Sequence, residues 1–277
     1  MTSVTPAAAG LTALLADRRR PALGAFLPAG FPNWTAGIEA LRAFTRHGAD
    51  FLEVGVPHHT PSLDGPDIAA AYAEALSQGA RMAHVLSTIR LAASSTNVPV
   101  VAMSYWASVL DFGGPGRFAQ DLAQSGAAGA MIPDLPVTEA GEWIDAARQA
   151  GLHTPQFAPR DASDDELVAI AAAASGWIYA PAAAAPTGYQ GDLDLPAISA
   201  FTARLRAHTS LPVVGGIGIS TPARAASVTP YVDGVVIGSP LVRPLLEGPA
   251  GLDGAVEQVR AFAHALHTPA RSHPLSA

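Results

Sequence analysis

The sequence predicts an α/β fold, a (β/α)8 or TIM barrel with one extra helix ahead of the first strand. Three observations point there. Eight short apolar, β-prone runs punctuate the chain, helical patterns lie between them, and 277 residues, about half of them hydrophobic, suit one large core. Alternation of this kind builds a parallel sheet covered by helices. Eight units at roughly 250 residues favour closure into a barrel over an open sheet.

The elements follow in order. "GLTALLADRRR" (10–20) reads as the extra helix. The strand candidates are "ALGAFLP" (22–28), "DFLEVGV" (50–56), "PVVAMSY" (99–105), "GAMIPD" (129–134), "HTPQFAP" (153–159), "GWIYAP" (176–181), "PVVGGIG" (212–218) and "DGVVIGS" (233–239). Between them, "TAGIEALRAFTRHG", "GRFAQDLAQSG", "TEAGEWIDAARQAG" and "DDELVAIAAAASG" carry apolar residues at spacings of three and four and end in Gly, a common helix stop. Two more, "PDIAAAYAEALSQG" and "RMAHVLSTIRLAASS", fall between the second and third strands. One domain over residues 1–277 is expected, its core at about 20–265, with a Pro- and Ser-containing tail "HTPARSHPLSA" that frays.

Composition removes several functions. A net charge of −7 argues against nucleic-acid binding. No apolar run approaches the roughly 20 residues of a membrane span, and the N-terminus lacks the basic region and apolar stretch of a signal peptide. A cytoplasmic protein is the expectation. With no cysteine there are no disulfides, thiolate ligands or cysteine nucleophile. All sixteen basic residues are arginine. A Schiff base needs a lysine amine, so a carbon–carbon lyase built on this chain does not use one.

Barrel active sites lie at the C-terminal ends of the strands. There, "FLEVGVPHHTPSLDGP" (51–66) sets Glu53 inside an apolar strand, on the opposite face from Leu52 and Val54. A carboxylate facing into a barrel near a strand top reads as catalytic; the alternative is a structural ion pair. Asp64 is either the cap of the "GPDIAAA" helix or the second member of an acid–base pair. Tyr105 and Tyr179 end the third and sixth strands, where either hydroxyl could orient Glu53 or simply close the core. His58 and His59 are adjacent and lack a spaced third ligand, so a metal site is not expected. The loops "PTGYQG" (186–191), "GGIGIS" (215–220) and "IGSP" (237–240) are rich in glycine. The last two follow strands seven and eight, where barrels often bind phosphate through backbone N–H groups; Gly218, Gly238 and Ser239 could do so without lysine.

Taken in order, "FLPAGFP", "EVGVPxxxPxxDGP" (Glu53 to Pro66), "PDLPV" (133–137), Thr187–Gly188, "GGIGIS" and "IGS" resemble the alpha subunit of tryptophan synthase over residues 20 to 265. The second motif is long and specific; the others gain weight from their order. The resemblance implies a (β/α)8 barrel that cleaves indole-3-glycerol phosphate to indole and glyceraldehyde 3-phosphate, with no cofactor of its own, beside a pyridoxal-phosphate beta subunit. It implies that Glu53 is the catalytic glutamate, Asp64 the aspartate facing the indole nitrogen, and Tyr179 an active-site tyrosine. By the same match Phe26 and Tyr105 bind the substrate, Thr187 closes over Asp64, and the backbone of Gly188, Gly218, Gly238 and Ser239 holds its phosphate. A retro-aldol cleavage loses a hydroxyl proton and protonates the departing indole carbon while positive character builds on the ring nitrogen. Glu53 suits the proton transfers, with burial expected to raise its pKa, and an ionised Asp64 suits the nitrogen.

The chain departs from the family pattern in three loops. "HHTP" puts Thr60 where the family has aspartate. "AAAAPTG" (182–188) puts Ala183 and Ala185 where it has arginine and glycine. Ala107 stands where many relatives have asparagine. These loops move or touch the partner. Three expectations follow: a lyase that releases indole alone, a conventional alpha subunit coupled to a beta subunit, or a non-catalytic homologue that activates a beta-type partner. Retention of both carboxylates speaks against the third, and the loop changes favour the first over the second.

Overall fold

The computed structural model describes residues 4–17, 19–248 and 250–267. Its strands are β1 (Ala22–Pro28), β2 (Phe51–Gly55), β3 (Val100–Met103), β4 (Gly129–Met131), β5 (Gln156–Phe157), β6 (Ile178–Ala180), β7 (Val213–Gly215) and β8 (Gly234–Ile237). All pair in parallel, in the order β4-β3-β2-β1-β8-β7-β6-β5. The ring closes between β4 and β5 through one bridge, Gly129 to His153. There Ala130 N–H donates to His153 O at 3.1 Å and His153 N–H to Ala128 O at 3.0 Å. The expected barrel is present.

The fifth strand is shorter than the sequence suggested. Of 153–159 only Gln156 and Phe157 join the ladder, with His153 as the isolated bridge. Pro155 and Pro159 bracket that pair, and neither has an N–H to donate.

Twelve helices surround the sheet among the described residues: α1 (Pro6–Ala16), α2 (Trp34–Arg46), α3 (Pro66–Ser77), α4 (Met82–Ser95), α5 (Trp106–Asp111), α6 (Pro115–Gln124), α7 (Gly141–Ala150), α8 (Asp164–Ala173), α9 (Leu195–His208), α10 (Pro222–Val228), α11 (Ser239–Leu246) and α12 (Gly251–His267). The extra helix exists but is displaced. It starts at Pro6, capped by the Thr5 hydroxyl, and stops at Ala16, so Arg19 and Arg20 of the expected segment do not extend it. Pro in the first helical turn costs no hydrogen bond, and it stands at the first or second position of α1, α3, α6, α9, α10 and α11. Leu11 and Leu15 of α1 are buried. Thr12 meets His153 at 2.9 Å, so α1 packs beside the seam where the barrel closes. Of the tail 267–277, only His267 is placed, as the last residue of α12; the rest lies outside the described residues.

Register places the site. Glu53 of β2 sits level with Phe26 on β1 and Val101 on β3. At the base of the same strands, Arg20 makes two 2.7 Å bonds to Asp50, which also accepts the Leu23 N–H at 2.8 Å. That clamp fixes the starts of β1 and β2 against each other.

Candidate active site

A cleft opens at the C-terminal ends of the strands. Its wall includes Phe26, Glu53, Asp64, Tyr179, Thr187, Gly188, Gly218, Gly238 and Ser239. The barrel therefore gathers into one place residues spread over most of its length.

Glu53 is 3 % exposed, and its Oε1 has no hydrogen-bond partner. Removing a carboxylate from water without compensation disfavours its charged form. Burial first, and the nearby Asp64 charge second, push Glu53 up to about 8. Near neutral pH this favours the protonated acid.

Asp64 lies between β2 and α3. It does not cap α3: the N-cap is Gly65, with no side-chain cap bond. Instead its Oδ2 accepts from the Tyr105 hydroxyl at 2.8 Å and its Oδ1 from the Thr187 hydroxyl at 3.3 Å. Burial raises its pKa to about 6, while those two donors pull it down. Glu53, with no partner for Oε1, is thus pushed further toward its neutral form than Asp64, which two hydroxyls favour as the anion, and such a site can hold an acid beside an anion.

The two tyrosines have separate partners, and Glu53 Oε1 is bonded to neither. Tyr105 is 1 % exposed and stands behind Asp64; its oxygen also accepts the Leu63 N–H at 3.2 Å. The Tyr179 hydroxyl accepts the Ile217 N–H at 2.9 Å, and its ring stacks on Phe157 at 5.7 Å and 20°. A Cβ at position 216 would lie 1.6 Å from the Tyr179 oxygen, so Gly216 is what admits that hydroxyl. Burial pushes both phenols well above their usual range.

The loop after β6 is docked. Thr187 N–H donates to Leu63 O at 3.2 Å, and Gly65 N–H donates to the Thr187 hydroxyl at 2.8 Å. Upstream, Ala183 N–H donates to Ile217 O at 3.0 Å. Approach is so close at Gly65 that a Cβ there would lie 2.0 Å from Thr187 O. Gly218, Gly238 and Ser239 face the same cleft, where α11 begins with Gly238 as its N-cap. A helix N-terminus offers free N–H groups and partial positive charge, which suits a phosphate.

Sequence reasoning did not single out Met103, Met131 or Phe157, which also line the cleft. An apolar residue at a strand end carries no mark that separates a cleft wall from the barrel core. Among the described residues no group of three or more His, Cys, Asp or Glu is placed to hold a metal ion.

A family model, that of the tryptophan synthase alpha chain, matches residues 12–271. The chain belongs to that family. It is 42 % identical over 247 residues to the tryptophan synthase alpha chain of Streptomyces coelicolor, covering 88 % of this chain and 89 % of that one. The alpha chain of Mycobacterium tuberculosis is 36 % identical over 229 residues, covering 83 % and 84 %. Among solved structures, M. tuberculosis tryptophan synthase superposes with a TM-score of 0.86 at 32 % identity, over 96 % of this chain and 100 % of that one. Subunit alpha from Legionella pneumophila gives 0.84 at 26 %, over 95 % and 99 %. Tryptophan synthase alpha chains are lyases that cleave indole-3-glycerol phosphate to indole and glyceraldehyde 3-phosphate, conventionally beside a beta subunit, and that is the activity of this chain's family.

Proposed function

We propose that Glu53 and Asp64 carry the cleavage of indole-3-glycerol phosphate in this chain, and that the chain performs it without requiring a beta subunit. The observation that carries this reading is the pair itself. A buried, protonated Glu53 stands in one cleft with a carboxylate whose two oxygens are already held by Tyr105 and Thr187.

The steps balance on these residues alone. Glu53 donates its proton to the indole carbon that bears the side chain. Positive character develops on the ring nitrogen, and ionised Asp64 stabilises it. The bond between that carbon and the glycerol carbon then breaks, its electrons returning to the ring. The hydroxyl of the departing carbon loses its proton to Glu53, which ends as it began. Tyr179 and Phe26 shape the indole pocket, and the backbone of Gly188, Gly218, Gly238 and Ser239 receives the phosphate. Tyr105 and Thr187 hold Asp64.

Independence from a partner rests on the docked loop. Closure of a lid excludes water and completes a site. Here Thr187 is bonded to Leu63, Asp64 and Gly65 within the single chain. Ala185, where the family pattern has glycine, and the added Pro186 lower the freedom of the open form by about 0.4–1 kcal/mol each where the geometry permits. Conventional coupling to a beta subunit remains the second reading, favoured by the relatives' shared name. We further propose that residues 1–277 act as one domain in the cytoplasm; no helix among the described residues is long and apolar enough to cross a membrane. The test is indole release from indole-3-glycerol phosphate by the isolated chain, and its loss in Glu53→Gln.

A further inference from the structure

We propose that His58 is a positioning residue: stacked on Tyr105 and tethered to Ser108 and Thr60, it holds the Tyr105 hydroxyl on Asp64. The inference rests on the reading that Asp64 acts in the cleavage. The His58 and Tyr105 rings stack at 5.0 Å and 23°. Stacking alone leaves a ring free to slide, but this one is held at both edges. Its Nδ1 meets the Ser108 hydroxyl at 3.0 Å, and its Nε2 meets the Thr60 hydroxyl at 3.2 Å. Ser108 belongs to α5, whose first N–H, that of Trp106, is anchored on the Asp134 carboxylate at 2.9 Å. The imidazole therefore ties the loop after β2 to the helix after β3, and the clamp includes no residue of the loop after β6.

The consequence falls on Asp64. Tyr105 is one of two side chains bonded to that carboxylate. Its ring has Asp64 and Leu63 at the hydroxyl end and His58 against its face. If the His58 ring goes, the phenol gains room to tilt, and displacements of an ångström at such a group cost catalysis heavily. A loosened Tyr105 also withdraws a donor that favours the ionised carboxylate, leaving burial to raise the Asp64 pKa further. Thr60 and Ser108 acquire a role as the two hydroxyls that orient one imidazole.

The experiment is steady-state cleavage of indole-3-glycerol phosphate across pH by His58→Ala, His58→Phe, Tyr105→Phe and the His58→Ala/Tyr105→Phe double variant, with Asp64→Asn as reference. The expected result has four parts. His58→Ala lowers kcat by about 10-fold with KM nearly unchanged. His58→Phe restores only part of it, because the stacked ring returns without its two tethers. The acid limb of the kcat profile moves to higher pH in both His58→Ala and Tyr105→Phe. In the double variant, His58→Ala adds nothing to Tyr105→Phe, since the two act through one hydroxyl. Additive effects overturn the inference, as does an unmoved acid limb with only thermal stability lowered. If His58→Ala does not fold, Ser108→Ala takes its place and must shift the same limb. Near-normal turnover in Asp64→Asn would overturn the reading of Asp64 itself. A slow Asp64→Asn with additive His58 and Tyr105 effects overturns the His58 inference alone.

Discussion

Thr187, on the loop after β6, shares its hydroxyl with two residues of the loop after β2: it donates to Asp64 at 3.3 Å and accepts the Gly65 N–H at 2.8 Å. Two loops more than a hundred residues apart in sequence are thereby fastened over the carboxylate. The packing that allows it leaves no room for a Cβ at position 65, which would lie 2.0 Å from Thr187 O. Gly65→Ala should therefore push the loop off its dock. We expect kcat/KM to fall by about 10-fold or more while the barrel stays folded, read by steady-state assay beside circular dichroism. Unaltered kinetics in a folded variant would show that docking is irrelevant to turnover.

Glu53→Gln keeps the side-chain shape and removes the titratable proton. Turnover should drop by about 10²-fold or more. The same change should stabilise the fold, and the sign follows from linkage. Glu53 rises from 4.5 to about 8 on folding, so between those values the folded state binds more protons than the unfolded state. Its contribution is fully present below about 4.5 and is lost as pH rises through about 8. Glu53→Gln should then gain more in melting temperature over wild type at pH 8 than at pH 5. Calorimetry at the two pH values checks this; a gain independent of pH would contradict the burial argument.

Activity should follow a bell in pH. The account needs Asp64 ionised and Glu53 protonated. Those conditions hold together between about 6 and about 8. The acid limb of kcat/KM belongs to Asp64 and the basic limb to Glu53, subject to their coupling. A profile still rising at pH 9 would place the essential proton elsewhere.

Gly238→Asp tests the phosphate wall. The new side chain would bring negative charge to the start of α11, and its Cβ would meet Phe26 Cδ1 at 3.0 Å. KM should rise by about 10-fold or more, equivalent to roughly 1.4 kcal/mol of binding, and kcat should fall less. A structure with glycerol phosphate bound away from Gly188, Gly218, Gly238 and Ser239 would count against the assignment.

Much of this was legible in the sequence for identifiable reasons. A parallel barrel buries its strands on both faces, so they stand out as apolar runs, and Glu53 is conspicuous in one of them. Asp64 was not decidable locally, because a cap and an acid–base residue occupy the same place before a helix. In space Asp64 makes no cap bond to α3 and accepts instead from Tyr105 and Thr187, 41 and 123 residues away. The shortness of β5 was written in Pro155 and Pro159, which leave only Gln156, Phe157 and Ala158 between them. His58 shows the reverse case. Its neighbours in sequence offered no role, and the role proposed for it comes from Tyr105 and Ser108 on other elements.

The central claim is that this chain closes and operates its own site. The most direct measurement is the rate of indole release from indole-3-glycerol phosphate by the isolated chain, repeated with a saturating tryptophan synthase beta subunit. The account predicts useful turnover alone and weak stimulation by the partner. A nearly inert chain that the beta subunit accelerates by about 10-fold or more, some 1.4 kcal/mol of barrier, would contradict it and return these loops to a role in coupling.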